Sequence, residues 1–321
     1  MPPPIHVVNP FWNASGGSEW RAWQLFDDLA AAADARAWTE TTPAAPFAAD
    51  GRLTRIDVDA GRLPRGGTLI IVGSYFPLGD WLERAQPARV VLIHNTLGPL
   101  LLERTLARLA SCSLEAEIVY TSELARLAGG RPGLVQYPPV DLARFQPRRE
   151  PRPGGFVAGR LSRDIDYKHH PEDGTLYAAL LAAAIDVELM GAESVAAALP
   201  EHPRLVRRAA GSLDAVDFLH RLDCLVYRTS PAWCEPFGRI VAEAAACGVP
   251  CVAHRSGGYC EVFADGVDIL LFGTTAEAVT AVRRLRDDAA LRTRVARAAR
   301  DAVAAFSDEQ ARAHWRQWFL S

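Results

Sequence analysis

The segment Glu235-Pro-Phe-Gly-Arg-Ile-Val-Ala-Glu243 carries two carboxylates, eight positions apart, where a helix is predicted to begin. Pro236 suits the first helical position because it lacks a backbone N–H. Gly238 lets a ligand approach the amino end of the helix, where free N–H groups and the helix dipole favour anions. Glu235 is predicted to precede the helix and Glu243 to lie about two turns inside it. This spacing predicts a ligand with hydroxyls at both ends and phosphate between them, such as a nucleotide sugar.

Length and charge limit the possible classes of protein. The 321 residues predict two domains, each large enough for its own hydrophobic core. The net charge of −3 argues against a nucleic-acid binder, because a phosphate backbone needs a basic surface. No apolar stretch reaches the ~18 residues of a membrane span, and the amino terminus does not resemble a signal peptide. We therefore expect a cytoplasmic protein whose membrane contact is at most peripheral, at the inner face of the membrane.

The cysteines do not form a recognisable metal motif. Five of the six fall between positions 224 and 260, but none forms a Cys-x-x-Cys pair and no histidine stands at a matching spacing. A reducing compartment also disfavours structural disulfides. The cysteines are therefore predicted to be small buried side chains, and no metal site is expected.

Short β-branched runs alternate with helical patterns along the chain, which is typical of βαβ units in parallel sheets. Strands are predicted at 5–8, 68–73, 90–94, 117–121, 156–159, 187–190, 222–227 and 249–253. Helices are predicted at 18–35, over most of 275–305, and at 307–320. Two successive Rossmann-like domains would place a ligand at the carboxyl ends of the strands.

Composition predicts where the domains divide. The stretch 148–155 is charged and rich in proline and glycine, so it is predicted to be an interdomain linker. The last segment, 307–321, carries Trp315, Trp318 and Phe319, which need a surface that buries them. The predicted domains are therefore 1–147 and 148–306, followed by a terminal helix.

The second half of the chain resembles a known family. Glu235 to Pro250, followed by Ser-Gly-Gly-Tyr-Cys-Glu-Val-Phe-Ala-Asp-Gly at 256–266, resembles the C-terminal signature of family 4 retaining glycosyltransferases. The resemblance implies the GT-B fold, in which two Rossmann-like α/β domains face each other across a cleft. It implies that the first domain binds the acceptor and the second the nucleotide-sugar donor. It also implies that the terminal helix packs back on the first domain.

The resemblance assigns roles to the opening segment. It implies that Glu235 hydrogen-bonds the transferred sugar and that Glu243 holds the ribose hydroxyls. Ionised carboxylates are strong acceptors for such hydroxyl donors. Phe237 and Gly238 belong to the same donor-binding turn.

Two cations resemble the pair that clamps the donor diphosphate in this family. They are Arg160 and Lys168, in Gly159-Arg-Leu-Ser-Arg-Asp-Ile-Asp-Tyr-Lys168. Positive charge there would stabilise a departing nucleoside diphosphate. Seven residues separate the two here, where the family's usual pattern has four, so Arg163 is an alternative to Lys168.

The first half of the chain resembles the family only in outline. Gly16 and Gly17 stand between the first strand and the first helix, and they resemble the glycine-rich loop that approaches the donor phosphates. His94 ends a strand and resembles the histidine that projects toward the donor sugar. His169 and His170 receive no role.

The implied activity is metal-independent, retaining transfer of a hexosyl unit from a nucleoside-diphosphate sugar to a glycan, glycolipid or small-molecule hydroxyl. The donor is a co-substrate, and no further cofactor is expected. A sugar-nucleotide epimerase and a non-catalytic nucleotide-sugar-binding protein on the same fold remain alternatives. The base of the donor (uridine or guanosine), its sugar, the acceptor and the oligomeric state are not readable from the sequence.

Overall fold

The computed structural model describes residues 3–150, 152 and 154–321, which form two compact units. Unit 1 comprises Met1–Pro138 and Arg312–Ser321, and unit 2 comprises Pro139–Ala311. The predicted boundary at 147/148 therefore lies inside unit 2. The residues just before that boundary bond within unit 2, since the Val140 N–H donates to Ser307 Oγ at 3.0 Å. Pro151 and Pro153 of the predicted linker lie outside the described residues.

Unit 1 is built on a seven-stranded parallel sheet with the order β3-β2-β1-β4-β5-β6-β7. Its elements, in chain order, are β1 (Ile5–Val8), α1 (Gly17–Ala30), β2 (Ala35–Thr39), α2 (Ala45–Ala48), β3 (Leu53–Arg55), β4 (Thr68–Val72), α3 (Trp81–Ala85), β5 (Arg89–His94), α4 (Pro99–Ser111), β6 (Glu117–Tyr120), α5 (Glu123–Gly129) and β7 (Leu134–Val135).

Unit 2 repeats this arrangement with a six-stranded parallel sheet of order β10-β9-β8-β11-β12-β13. Its elements are β8 (Val157–Leu161), α6 (Asp173–Ala182), β9 (Asp186–Met190), β10 (Leu205–Arg208), α7 (Ala215–Leu219), β11 (Cys224–Tyr227), α8 (Arg239–Ala246), β12 (Cys251–His254), β13 (Leu270–Phe272), α9 (Thr275–Asp287) and α10 (Ala289–Ser307). Helix α11 (Glu309–Leu320) ends in unit 1. The predicted α/β class with two Rossmann-like sheets is confirmed.

Continuous apolar runs explain why the central strands were predictable. Strands β1, β4 and β11 are buried along their whole length, as expected for parallel strands covered on both faces. Alternate residues of the unit 1 strands belong to two core clusters, with Val8 in one and Val7 in the other. All eight predicted strands are present, and no end is shifted by more than two residues.

The strands that were not predicted are short or poor in β-branched residues. They are β2, β3, β7, β10 and β13. The first helix ends at Ala30 rather than at position 35, because the alanine-rich segment after it turns and enters β2. The predicted helical stretch 275–305 divides at Asp288, whose side chain caps α10 by accepting the Leu291 N–H at 2.8 Å.

The start of α8 differs from the prediction. The helix begins at Arg239, with Gly238 as its N-cap in the left-handed region at φ 85°, so Pro236 is not its first residue. A Cβ on Gly238 would lie 2.6 Å from Cδ1 of Tyr259, which explains why glycine is needed there. Glu243 consequently lies only about one turn inside the helix. Within the described part of the chain, no helix is long and apolar enough to cross a membrane.

The terminal helix α11 buries its aromatic side chains in unit 1. Phe319 is fully buried in the core cluster on one face of the unit 1 sheet, and Trp315 and Trp318 pack against that cluster. The Arg89 guanidinium lies 4.4 Å over the Trp318 ring and donates to the Trp318 carbonyl at 2.9 Å. These contacts tie the end of the chain to β5.

We expect Phe319→Ala to lower the free energy of unfolding of unit 1 by about 3–5 kcal/mol, because it leaves a cavity in the core. Urea unfolding of the full chain, followed by fluorescence and circular dichroism, measures the change. The neighbouring Leu320→Ala is the matched control, since Leu320 is 41% exposed. Equal stability of the two variants would contradict the packing described here.

Candidate functional site

In each sheet, the strand order marks one point along the carboxyl ends of the strands as the candidate ligand site. In open parallel sheets, ligands bind outside the carboxyl ends of the strands at the point where the strand order reverses. In unit 2 that point lies between β8 and β11, which are neighbours in the sheet. Arg160 stands near the end of β8 and Tyr227 ends β11.

A buried ion pair occupies this edge of unit 2. Lys168 is the only lysine in the chain, and its Nζ donates to Oε1 of Glu235. The two side chains are only 9% and 8% exposed. The Tyr227 hydroxyl donates to the same carboxylate oxygen at 2.7 Å. The fold thus brings together two residues that the sequence predicted for one site, although 67 positions separate them.

The surroundings shift the pKa of both members of the pair. Burial lowers the pKa of Lys168, and the Glu235 carboxylate offsets only part of this effect. Burial works to raise the pKa of Glu235, but the charge of Lys168 and the hydrogen bonds from Lys168 and Tyr227 outweigh it and hold that pKa below its ordinary value. Lys168 Nζ also lies 5.1 Å from the centroid of the Trp233 ring, which favours the cation.

Arg160 fixes the backbone around this pair. Its side chain is fully buried, and its guanidinium lies 4.8 Å over the ring of Tyr227. Its two terminal nitrogens donate to the carbonyls of Lys168 and Arg228. Its charge also helps to lower the pKa of Glu235. Arg160 therefore joins the end of β8, the loop that carries Lys168 and the segment that follows β11.

A second buried ion pair supports the first. The Arg228 Nε donates to Oδ1 of Asp173 at 2.7 Å, and the His170 N–H donates to Oδ2 of Asp173 at 3.0 Å. Burial opposes ionisation of Asp173, but the hydrogen bond from His169 and the charges of Arg160 and Arg228 outweigh it and lower its pKa to about 2. Because the Arg228 carbonyl accepts from Arg160, the two ion pairs belong to one network.

The sequence did not indicate Tyr227, Asp173 or Arg228. Tyr227 was predicted only as the last residue of a strand, and Asp173 reads as an ordinary acidic residue in the first turn of a helix. Their position at the carboxyl end of a strand was the one available signal for Tyr227 and Arg228. His169, which received no role, lies with its Nε2 3.0 Å from the Gly191 carbonyl.

A cavity of about 400 Å³ lies beside the turn that carries Lys168. Its lining includes Tyr167, His169, His170, Asp173 and Leu199. The volume falls within the range of small-molecule pockets, about 300–1,000 Å³. The lining combines polar and aromatic side chains with apolar ones.

The segment from Phe237 to Glu243 is positioned by packing. Phe237 is buried, and its ring lies 5.9 Å from that of Phe306. Glu243 accepts from Nε of Arg239 at 3.1 Å and forms an ion pair with it, so a residue one turn earlier orients its carboxylate. The predicted contact of Phe237 with a donor would therefore involve its backbone rather than its ring.

The residues predicted for the site in unit 1 are Gly16, Gly17 and His94. They lie on the side of the unit 1 sheet where its strands have their carboxyl ends. His94 is fully buried, and its Nδ1 lies 2.6 Å from Ser74 Oγ. Burial lowers the pKa of His94 to about 4, so the imidazole is neutral at pH 7. Gly16 caps α1 and Gly17 is its first residue. The glycine loop and the histidine strand meet here, because Asn95 donates to Ser18 Oγ at 2.7 Å.

Within the described residues, no group of three or more His, Cys, Asp and Glu side chains is arranged to hold a metal ion. All six cysteines are free thiols, three of them buried and three half-buried. The burial predicted for the cysteines is therefore complete for Cys224, Cys247 and Cys251.

A protein with one lysine allows the pKa of that lysine to be measured directly. In protein labelled with ¹³C-lysine, the side-chain signal comes from Lys168 alone. We expect its titration to give a pKa below the ordinary 10.5. In Glu235→Gln the pKa should fall further, because the carboxylate that favours the cation is lost. NMR titration checks this, with the exposed Glu201→Gln as control. A pKa above 10.5, or a rise in Glu235→Gln, would contradict the buried ion pair.

Sequence comparison finds a family match within unit 2. Residues 209–302 match the family model described as Glycosyl transferases group 1. D-inositol 3-phosphate glycosyltransferase 2 of Catenulispora acidiphila is 34% identical over 182 residues. The matched region covers 45% of this chain and 40% of that relative.

Solved structures match nearly the whole chain. The crystal structure of Anabaena Alr3699/HepE in complex with UDP and glucose has a TM-score of 0.76 at 16% identity, over 98% of both chains. Sucrose-phosphate synthase from Thermosynechococcus elongatus has a TM-score of 0.73 at 17% identity, again over 98% of both chains. At such identities the likeness shows the fold alone. The chain therefore has the GT-B fold, and its residues 209–302 match the Glycosyl transferases group 1 model.

Proposed function

We propose that this protein is a family 4 glycosyltransferase that moves a hexosyl unit, with retention and without a metal ion, from a nucleoside-diphosphate sugar to an acceptor hydroxyl. The buried Lys168–Glu235 pair beside the amino end of α8 is the observation that carries the proposal. The match of residues 209–302 to glycosyl transferases supports it. UDP-glucose is the first donor to test, because the Anabaena protein of the same fold was crystallised with it.

The diphosphate of the donor is assigned to Lys168 and the first N–H groups of α8. A helix amino end and a lysine both attract phosphate oxygens, and they stabilise charge that develops on the leaving group. Lys168 would exchange its bond to Glu235 for one to a phosphate. Glu235 would keep the hydrogen bond from Tyr227 and accept from a sugar hydroxyl. Arg160 would hold the backbone of Lys168 in place, and its positive charge would add to the attraction for the diphosphate.

The ribose of the donor is assigned to Glu243. Its carboxylate is 14% exposed and is oriented by Arg239. An ionised carboxylate can accept from the two neighbouring ribose hydroxyls at once. The cavity beside Lys168 offers further space for part of the substrate.

The transfer itself needs no dedicated protein base. In the proposed front-face reaction, the bond between the anomeric carbon and the phosphate oxygen breaks, and the nucleoside diphosphate leaves with the electron pair. The acceptor oxygen bonds to the same face of that carbon and passes its proton to a phosphate oxygen of the leaving group. Unit 1 as a whole is assigned to the acceptor. Within it, Gly16 and Gly17 keep the implied role toward the donor phosphates, and His94 keeps the implied role toward the donor sugar. The acceptor is a glycan, a glycolipid or a small molecule.

The proposed compartment is the cytoplasm, at most peripherally attached to the inner face of the membrane. All six cysteines are free thiols, which suits a reducing compartment.

Glu243→Ala should weaken nucleoside-diphosphate binding about tenfold or more, because hydrogen bonds to a charged group contribute about 1.5–3 kcal/mol. Calorimetric titration with UDP, GDP and ADP measures the loss and identifies the preferred base. The exposed Glu201→Ala should bind like the unaltered protein. Full affinity in Glu243→Ala would refute the ribose role.

Product analysis tests the reaction. We expect release of nucleoside diphosphate that rises with acceptor, a product with the anomeric configuration of the donor, and loss of turnover of at least about a hundredfold in Glu235→Gln. Conversion of the donor sugar with no acceptor present would indicate an epimerase instead. Tight donor binding without release across broad acceptor mixtures would indicate a binding protein.

A further inference from the structure

The turn that carries Lys168 is bound on its C-terminal side by Asp173, the first residue of α6. The His170 N–H donates to Asp173 Oδ2 at 3.0 Å, and the Asp173 N–H donates back to the His170 carbonyl at 2.9 Å. The imidazole of His169 lies beside the same carboxylate oxygen, with its Nδ1 3.8 Å from Oδ2. Asp173 therefore contacts both residues that directly follow Lys168.

Three elements of unit 2 fix the Asp173 carboxylate. Asp173 is only 2% exposed, and its helix packs Leu176 and Leu180 into the core of the unit. Arg228, which directly follows β11, donates from Nε to Asp173 Oδ1 at 2.7 Å. The Arg228 Nη1 also donates to Oγ1 of Thr275, the first residue of α9, at 3.0 Å. The carboxylate is therefore held by α6, the end of β11 and the start of α9.

Arg228 also binds the turn through Arg160. The Arg228 carbonyl accepts one guanidinium nitrogen of Arg160, and the carbonyl of Lys168 accepts the other. Lys168 thus lies between two anchors, because its own carbonyl is bound to Arg160 and the residues after it are bound to Asp173. None of these bonds uses the ammonium group of Lys168. They can therefore remain in place when that group leaves Glu235 for a phosphate.

We propose that Asp173 and Arg228 are positioning residues that hold Lys168 within reach of the donor diphosphate. The inference rests on the proposed function and deepens it, since it names residues that act on the donor through Lys168. A lysine is a point charge on a flexible stem, and it loses rotational freedom when it binds one oxygen. A backbone that is fixed beforehand reduces this cost. Asp173 has no need to touch the donor, because Arg228 and His170 already use its two oxygens.

A double-mutant cycle on the full chain tests the proposal. Asp173→Asn alone would leave Arg228 as a buried ion without its partner, so the variant is Asp173→Asn/Arg228→Gln, which removes both charges. We expect it to bind UDP about tenfold more weakly and uridine within about twofold, because only the diphosphate contacts Lys168. In a Lys168→Gln background, which keeps a hydrogen-bond donor for Glu235, the same two substitutions should change UDP affinity by less than about twofold. Calorimetric titration measures UDP binding, ligand-observed NMR measures uridine binding, and circular dichroism checks that each variant is folded.

Glu188→Gln is the matched control for the loss of a buried carboxylate. Glu188 is 5% exposed, and its Oε1 accepts from Arg208 and Arg221 at 2.5 Å each. The two arginines are 29% and 46% exposed, so water can solvate them in the variant. We expect its UDP affinity to stay within about twofold of that of the unaltered protein.

Hydrogen exchange on the unaltered protein gives a second measurement that needs no variant to fold. The His170 amide should exchange at least about tenfold more slowly than that of Asp166, an exposed residue at the start of the same turn. This protection should persist when UDP is bound, because the bond to Asp173 does not involve the donor.

Four results would overturn the positioning role. They are unchanged UDP affinity in Asp173→Asn/Arg228→Gln, equal losses for UDP and uridine, an equal loss in the Lys168→Gln background, and a His170 amide that exchanges as fast as that of Asp166. Failure of the proposed function has a different signature. In that case Lys168→Gln binds UDP as tightly as the unaltered protein, or the unaltered protein binds no nucleoside diphosphate.

Discussion

A buried positive charge needs a buried negative one, and this requirement organises the candidate site. Lys168 and Glu235 lie almost entirely out of water, where an unpaired ion costs several kcal/mol. Each therefore holds the other in place, and Tyr227 supplies the next hydrogen bond to the carboxylate. Arg160 donates to the backbone carbonyls of Lys168 and Arg228, which ties the loop that carries Lys168 to the sheet. In the proposed function, an arriving phosphate replaces the carboxylate as partner of the lysine.

Sheet topology brings these residues together. In both units, the strands that directly follow the first strand lie on one side of it, and the later strands lie on its other side. In unit 2 this gathers the ends of β8 and β11 around the ion pair. In unit 1 the same order gathers the residues that follow β1, β4 and β5, namely Asn9, Ser74 and Asn95. The carboxyl ends of the unit 2 strands therefore carry charged side chains. Those of the unit 1 strands carry amides, hydroxyls and the exposed indole of Trp12.

The sequence predicted the parts of the fold that depend on local pattern. Buried strands such as β4 read clearly because parallel strands are apolar on both faces. Short edge strands such as β10 did not, because half of their residues are polar. The start of α8 was misplaced because Pro236 is a common helix-start signal, whereas the close packing of Tyr259 against Gly238 sets the true start. That contact arises only in the folded chain.

The candidate site was predictable where a motif marks it and not elsewhere. Lys168 and Glu235 stood in recognisable motifs, and the fold brings them into contact. Asp173 and Arg228 lie 55 positions apart and have no motif, so their pairing depends on tertiary structure alone.

A crystal structure with an intact nucleoside-diphosphate sugar tests the central claim most directly. We expect Lys168 Nζ and the N–H groups at the start of α8 to contact the diphosphate, with Glu235 hydrogen-bonded to the sugar and still to Tyr227. A diphosphate bound elsewhere in unit 2, with the Lys168–Glu235 pair intact, would contradict the role assigned to that pair.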